Sequence, residues 1–236
     1  MKAFAASRCH GSSALVALTA QNTTAVTSVQ ELPPEFVTAQ LEAVWDDIGV
    51  DAAKTGMLFS KRLIDTVADF LAAHPVPLVV DPVMVASSGA KLLLDDAVDA
   101  LVTRLFPLAT VITPNLNEAV ALAGFDGERR ELAVRLHELG APAVVVTGGH
   151  GERPVDHLFD GERHVEIPVE RHDVAATHGA GCTHSATLAA ELAKGASLEE
   201  AARTAARVAS DAVRNGLVEL GSGEGPVDVF GTKGVA

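Results

Sequence analysis

Thr110-Val-Ile-Thr-Pro-Asn-Leu-Asn-Glu-Ala-Val-Ala-Leu-Ala-Gly124 is the stretch whose reading sets the fold class. Its β-branched opening predicts a short buried strand over Thr110–Thr113, and Pro114 interrupts it. The remainder predicts a helix over Glu118–Ala123 that stops at Gly124. A strand that feeds a helix within a few residues is half of a βαβ unit, the building block of parallel sheets. The alternation repeats outward on both sides. Strands are predicted at Ala14–Thr19, Asp51–Thr55, Leu78–Asp81 and Ala143–Thr147. Between them lie predicted helices over Pro34–Asp47, which opens on a proline, Ser60–Ala73, with Ser60 as its cap, and Asp95–Phe106. The expected fold class is α/β, a three-layer α/β/α sandwich around a mostly parallel sheet. From Asp156 the pattern changes to two β-like runs, Asp156–Phe159 and His164–Val169, joined by the turn dipeptide Asp160-Gly161. That predicts an antiparallel hairpin at the edge of the sheet. Helices over Cys182–Lys194 and Leu198–Val213 complete the pattern, the second capped by Ser197 with Glu199 and Glu200 in its first turn. Gly127-Glu-Arg-Arg-Glu131 reads as a solvated helix start.

Composition narrows the classes of function. The 236 residues fit one domain over 1–236, with 48% hydrophobic and 21% charged residues, enough to bury a sizeable core. Eighteen Lys and Arg against 31 Asp and Glu give a net charge of −13, which repels a phosphate backbone and argues against nucleic acid as a partner. Cys9 and Cys182 form no CxxC pair, so neither a disulfide framework nor a zinc knuckle is expected, and a reducing cytoplasm fits. No apolar run approaches the ~18–20 residues of a membrane span, so no membrane partner is expected. Lys2 and Arg8 ahead of apolar Ala14–Ala20 outline a secretory signal, but the run is short and follows polar His10-Gly-Ser-Ser13, so a buried strand is expected there. Cys9, Trp45 and Met84 read as packing residues.

In open parallel sheets, ligands bind beyond the carboxyl ends of the strands. Polar and glycine-rich segments collect at those ends here: Gln21-Asn22-Thr23, Gly56-Met57, Asp81-Pro-Val-Met84, Thr113-Pro-Asn115 and Thr147-Gly-Gly-His150. The sharpest motif is Thr177-His-Gly-Ala-Gly-Cys-Thr183, small residues leading into an Ala-rich helix. Free amides and the positive dipole end would hold a transferring phosphoryl group, and the dipole would lower the Cys182 thiol from its reference of about 8.5 toward a usable base. The alternative is a plain Gly-rich helix entry with an inert cysteine. Asn115-Leu-Asn-Glu118 sets an amide oxygen and a carboxylate one turn apart, either as ligands of hydrated Mg²⁺ or as an ordinary cap in which Glu118 reaches back to Asn115. Asp81 is either a turn former or a carboxylate aimed at a metal–phosphate complex. Thr147-Gly148-Gly149 can follow the phosphates of a nucleotide or simply turn the chain. His172, His178 and His184 lack zinc-site spacing relative to Cys182.

Taken together, Leu18-Thr-Ala-Gln-Asn-Thr23, Leu32-Pro-Pro-Glu-Phe-Val37, Lys54-Thr-Gly-Met-Leu58, Asp81-Pro-Val-Met-Val-Ala86, Thr113-Pro-Asn-Leu-Asn-Glu-Ala119, Gly148-Gly-His150, Thr177-His-Gly-Ala-Gly-Cys-Thr183 and Gly223-Glu-Gly-Pro226 resemble the hydroxymethylpyrimidine/phosphomethylpyrimidine kinases of thiamine biosynthesis, in the ribokinase-like superfamily. The resemblance implies ATP- and Mg²⁺-dependent phosphorylation of 4-amino-5-hydroxymethyl-2-methylpyrimidine, a small molecule, and then of its monophosphate. It implies that Gln21 bonds the pyrimidine edge, that Met57 and Val83 wall it, and that Cys182 is the general base with the backbone of Gly179, Ala180, Gly181 and Cys182 cradling the phosphoryl. It further implies that Asp81, Asn115 and Glu118 organise Mg²⁺, that Thr147, Gly148 and Gly149 meet ATP, and that the protein is a homodimer. The pattern departs from the family in four ways. Met1-Lys-Ala-Phe4 aligns with the helix after a strand and Ser/Gly-rich turn that family members carry, so the domain reads as truncated at its N-terminus. Thr147 and Ser87 stand where lysines are usual, Ala180 where Thr is usual, and Glu224 where His is frequent. A pyridoxal kinase or dual-specificity relative is the alternative in the same class, and a non-catalytic pyrimidine-sensing module the alternative in another.

Overall fold

Successive residues of a strand point to opposite faces, so a strand that is apolar throughout must be covered on both sides. The computed structural model, which describes residues 1–85, 89, 92–94, 96–149 and 153–232, shows that arrangement. The sequence expectations resting on Ala86, Ser87, Asp95 and His150 lie outside the described residues. In chain order the elements are α1 (Lys2–Ala6), β1 (Ala17–Gln21), β2 (Val26–Glu31), α2 (Pro34–Asp47), β3 (Ala53–Thr55), α3 (Lys61–Ala73), β4 (Leu78–Val80), α4 (Ala97–Ala100), β5 (Val111–Ile112), α5 (Leu116–Ala123), α6 (Arg129–Glu138), β6 (Val144–Val146), β7 (Val155–Phe159), β8 (His164–Pro168), α7 (Ala180–Ala193) and α8 (Leu198–Arg214). The central sheet runs β3-β4-β5-β6-β7-β8, parallel through β6 and antiparallel from β7. Val80, Ile112, Val144 and Val146 pack into the core beneath α2 to α6, while Val79, Val111 and Val145 pack beneath α7 and α8. The alternation in the sequence thus becomes three layers. Ala201, Ala202, Ala205 and Ala206 are buried, and their small side chains let α8 lie close against the sheet and α7.

Several terminators act as the sequence indicates. Ser60 caps α3 by accepting from the Leu63 amide, Ser197 and Glu200 form a capping box on α8, and Gly124 ends α5 at φ +80°. The β7–β8 hairpin sits at the sheet edge, its loop held by Asp160, whose carboxylate accepts from the Glu162 and Arg163 amides. Arg129 opens α6, and Trp45 packs edge-on against Phe70 at 5.2 Å.

Two expectations are corrected. The strand predicted over Ala14–Thr19 is not part of the parallel sheet. It lies at Ala17–Gln21 and pairs antiparallel with Val26–Glu31 in a separate two-stranded ribbon. Thr19, Gln21, Thr27 and Gln30 alternate with apolar residues, so neither strand can be covered on both faces. The Asn22 side chain accepts from the Thr24 and Ala25 amides at 2.9 and 3.0 Å and folds the chain straight back, favouring the local partner. The helix predicted over Asp95–Phe106 is regular only over Ala97–Ala100; it widens to a π turn at Leu101–Leu105 and tightens to a 3₁₀ turn at Phe106–Leu108. Leu101, Leu105 and Phe106 are all buried, and the widened turn brings them to one face before Pro107, lacking an amide hydrogen, ends the helix.

Candidate active site

Register across β3, β4 and β5 aligns Thr55 with Val80 and Val80 with Ile112, so the parallel strands end at one level and release their loops on one side. Asp81 follows β4 directly, and its amide donates to the Thr55 carbonyl at 3.2 Å. The side chain is buried, at 5% exposure, and accepts a hydrogen bond from Ser185 Oγ at 2.8 Å. Lys54 Nζ, from β3, donates to that same Ser185 oxygen at 2.9 Å and lies 3.5 Å from Asp81. Ser185 is one helical turn past Cys182, so this cation and acid are fastened to the first turns of α7.

The cap reading of Asn115 and Glu118 is realised. Asn115 Oδ1 accepts from the Glu118 amide and Glu118 Oε2 from the Asn115 amide, both at 3.0 Å, while Glu118 Oε1 accepts from the Met84 amide at 3.3 Å. One carboxylate therefore joins α5 to the loop after β4. Burial pushes the Glu118 carboxyl up to about 7, and the nearby charge of Asp81 adds to the rise against the lowering effect of its amide donors. Two buried acids that repel each other form a donor set of hard oxygens suited to a divalent cation, whose charge would restore the ionised form of Glu118. The cap and this fit are compatible, because each carboxylate oxygen keeps a second lone pair.

Gly179 caps α7 at φ +88°, a conformation that glycine adopts without strain, and Cys182 is the third helical residue. The Ala180 amide is already engaged with the Thr177 carbonyl at 3.0 Å. Gly181 and Cys182 have no carbonyl one turn back within the helix, so their amides are the first-turn donors available to an anion. The expected lowering of the Cys182 thiol is corrected. Cys182 keeps solvent access, yet it sits where protein crowds the sulfur, and that burial pushes its pKa up. Lys54 pulls it down, whereas Asp81 and Glu118 push it further up.

The Asn115–Thr147 bridge and the Thr147 amide, which donates to Pro114 O at 2.9 Å, place the Thr147-Gly148-Gly149 segment beside α5. Gly148 is pressed against Val155: a Cβ there would fall inside contact distance of the Val155 backbone N, C and O. Gly148→Ala is therefore expected to destabilise the fold by about 1–3 kcal/mol. Thermal denaturation checks this; an unchanged melting temperature would show that the loop yields. Met57 and Val83 are half-buried in the loops after β3 and β4. Gln21 stands exposed at the end of β1. The ribbon turn is moored by the Gly223 amide, which donates to Thr23 Oγ1 at 3.2 Å. Glu224, in the same segment, accepts from Thr177 Oγ1, so the departure from the family's His is used to hold the mouth of α7.

A family model described as phosphomethylpyrimidine kinase matches residues 1–228. The chain belongs to the phosphomethylpyrimidine kinase family. It is thus a kinase, a phosphotransferase of ribokinase-like fold. A hydroxymethylpyrimidine/phosphomethylpyrimidine kinase of Rhizobium meliloti is 44% identical over 98% of this chain and 90% of its own length. Among solved structures, an ADP complex of a Bacillus subtilis pyridoxal kinase superposes with a TM-score of 0.88 at 37% identity, covering 98% of this kinase and 91% of that chain. A phosphomethylpyrimidine kinase from Clostridium difficile superposes with a TM-score of 0.76 at 33% identity, covering 87% of each.

Sequence reasoning gave no role to Lys54, Ser185, Asp156 or His184 in this kinase. Lys54 carried a visible cue, a lone cation in a strand otherwise free of charge beyond its first residues. Asp156 and His184 carried none, because their partnership joins positions far apart in the chain: Asp156 Oδ2 meets His184 Nε2 at 3.1 Å, and Asp156 Oδ1 accepts from the Gly148 amide at 2.6 Å.

Proposed function

We propose that this kinase transfers the γ-phosphoryl group of ATP to the hydroxymethyl oxygen of 4-amino-5-hydroxymethyl-2-methylpyrimidine and then phosphorylates the resulting monophosphate, acting as a single domain across the chain. The observation that carries this reading is the convergence of Cys182, Lys54, Asp81 and Glu118 at one end of the parallel strands, within the family's fold. Phosphoryl transfer asks a protein mainly for positioning and charge neutralisation.

Cys182 serves as the base that takes the proton of the attacking alcohol, and the Gly181 and Cys182 amides point at the oxygens of the moving phosphoryl group. Gln21, Met57 and Val83 hold the pyrimidine ring, and the 147–149 segment meets the nucleotide. Asp81 and Glu118, with Asn115 beside them, would hold Mg²⁺, which when bound neutralises phosphate charge. Lys54 adds a fixed cation to a site in which Thr147 replaces a usual lysine.

A pyridoxal kinase activity is the second reading, favoured by the high TM-score to the Bacillus subtilis enzyme. Both ring alcohols are to be assayed with MgATP. We expect kcat/KM for the pyrimidine to exceed that for pyridoxal by about tenfold or more, the ratio a few well-placed ring contacts supply. Phosphorylation of pyridoxal alone overturns the pyrimidine assignment, and binding of the pyrimidine without ATP turnover would favour the sensing module.

A further inference from the structure

The buried carboxylate of Asp156, on β7, belongs to none of the roles above. It is 3% exposed, and its two oxygens are divided between two elements. Oδ1 accepts from the Gly148 amide at 2.6 Å, and Oδ2 faces His184 Nε2 at 3.1 Å. His184 lies in α7, two residues beyond Cys182, and is 4% exposed. Its Nδ1 is buried and finds no hydrogen-bond partner among the described residues. A buried polar nitrogen without a partner costs stability, so His184 is a poor choice if packing is its only task. Gly148 cannot move toward β7, because Val155 is already in contact behind it.

We infer that Asp156, through His184, is a positioning residue that fixes the nucleotide loop at Gly148 to the catalytic helix α7, so that the ATP phosphates and the amides of Gly181 and Cys182 keep one geometry. Neither side chain touches a reacting atom in this role. Reacting atoms must be held to within a fraction of an ångström, and a single carboxylate bonded to both carriers removes the freedom of one against the other. The inference rests on the reading of residues 147–149 as the nucleotide loop.

The test uses the full chain with Asp156→Ala, His184→Ala and His184→Gln, assayed below their melting temperatures. His184→Ala is expected to raise KM for ATP and lower kcat, each by about tenfold, with KM for the pyrimidine changed less than about twofold. His184→Gln, whose amide N–H reaches toward the same carboxylate, is expected to restore most of both. In the Asp156→Ala background His184→Ala should have little further effect, as two links in one chain require. Hydrogen exchange of the Gly148 amide should quicken in Asp156→Ala, which removes its acceptor, a readout that survives even if catalysis is lost. Variants with lower melting temperatures but unchanged KM for ATP, unchanged kcat and unchanged Gly148 exchange would overturn the inference and leave His184 as packing. If ADP slows exchange nowhere in residues 147–149 of the unaltered protein, the nucleotide-loop reading fails and takes the coupling with it. Protection by ADP without any effect of the variants fails the coupling alone.

Discussion

Exchange of Cys182 for serine is expected to reduce turnover by about 10²–10⁴-fold while leaving the Michaelis constants for alcohol and ATP nearly unchanged. Serine preserves the helix start and the amide donors at Gly181 and at position 182 itself, so the anion cradle survives. What is lost is a group that can accept the alcohol proton, because a serine hydroxyl is far too weak an acid to be ionised at working pH. The pH profile adds a second, sharper expectation. Crowding holds the Cys182 thiol above its ordinary range, with Asp81 and Glu118 adding to the rise and Lys54 opposing it. At neutral pH the sulfur is therefore mostly protonated, and kcat/KM should climb as pH rises into the alkaline range. That limb should be absent from the serine variant. Phosphate and magnesium entering the site alter the local charge, so the limb is best followed in kcat/KM, which reports the free enzyme. A turnover equal to that of the unaltered kinase would remove Cys182 from the chemistry and favour the inert-cysteine alternative.

Glu118 gives the other large effect, on stability and on magnesium dependence together. Its pKa is about 7 in the folded protein against 4.5 for the free side chain, so between those values the folded state binds more protons than the unfolded one. The stabilisation by the bound proton is full below pH 4.5 and is lost as pH rises through 7. The difference amounts to about 3 kcal/mol, since one pKa unit corresponds to about 1.4 kcal/mol. Magnesium-free protein should therefore lose stability from this group between pH 5 and pH 8, and added Mg²⁺ at pH 8 should return part of it. Glu118→Gln cannot titrate, so its contribution to the slope should vanish, and the variant should need more Mg²⁺ for half-maximal turnover. A denaturation series in urea across that pH range, with and without Mg²⁺, checks both. Loss of the pH slope with unaltered magnesium dependence would leave Glu118 as the partner of Asn115 in the cap and nothing more.

The resemblance carried by the quoted segments pointed to the chemistry, yet residues read one at a time left each motif with two meanings. Asn115 and Glu118 show why. Their spacing is that of a capping box, and the cap does form, but spacing cannot report that Asp81 would lie close enough to raise the Glu118 pKa. The thiol of Cys182 shows the opposite failure. A helix N-terminus is legible locally and argues for a lowered pKa, whereas the desolvation that wins comes from neighbours distant in sequence. Ala14–Thr19 was apolar enough to resemble a sheet strand, and only the competing partner at Val26–Glu31 showed that local pairing was available.

By itself the sequence determined the α/β alternation, most helix caps, the edge hairpin and the placement of Cys182 in the first turn of its helix. These depend on hydrophobic period, on glycine and proline, and on side chains reaching three or four residues along the chain, all of which are local. Tertiary structure alone decided the rest: the seat of Lys54 on Ser185 and Asp81, the division of Asp156 between Gly148 and His184, and the protonation of Glu118 and Cys182. Each of those depends on distance and burial between segments that meet only when the sheet assembles, and electrostatic and hydrogen-bond energies follow distance in space, not separation along the chain.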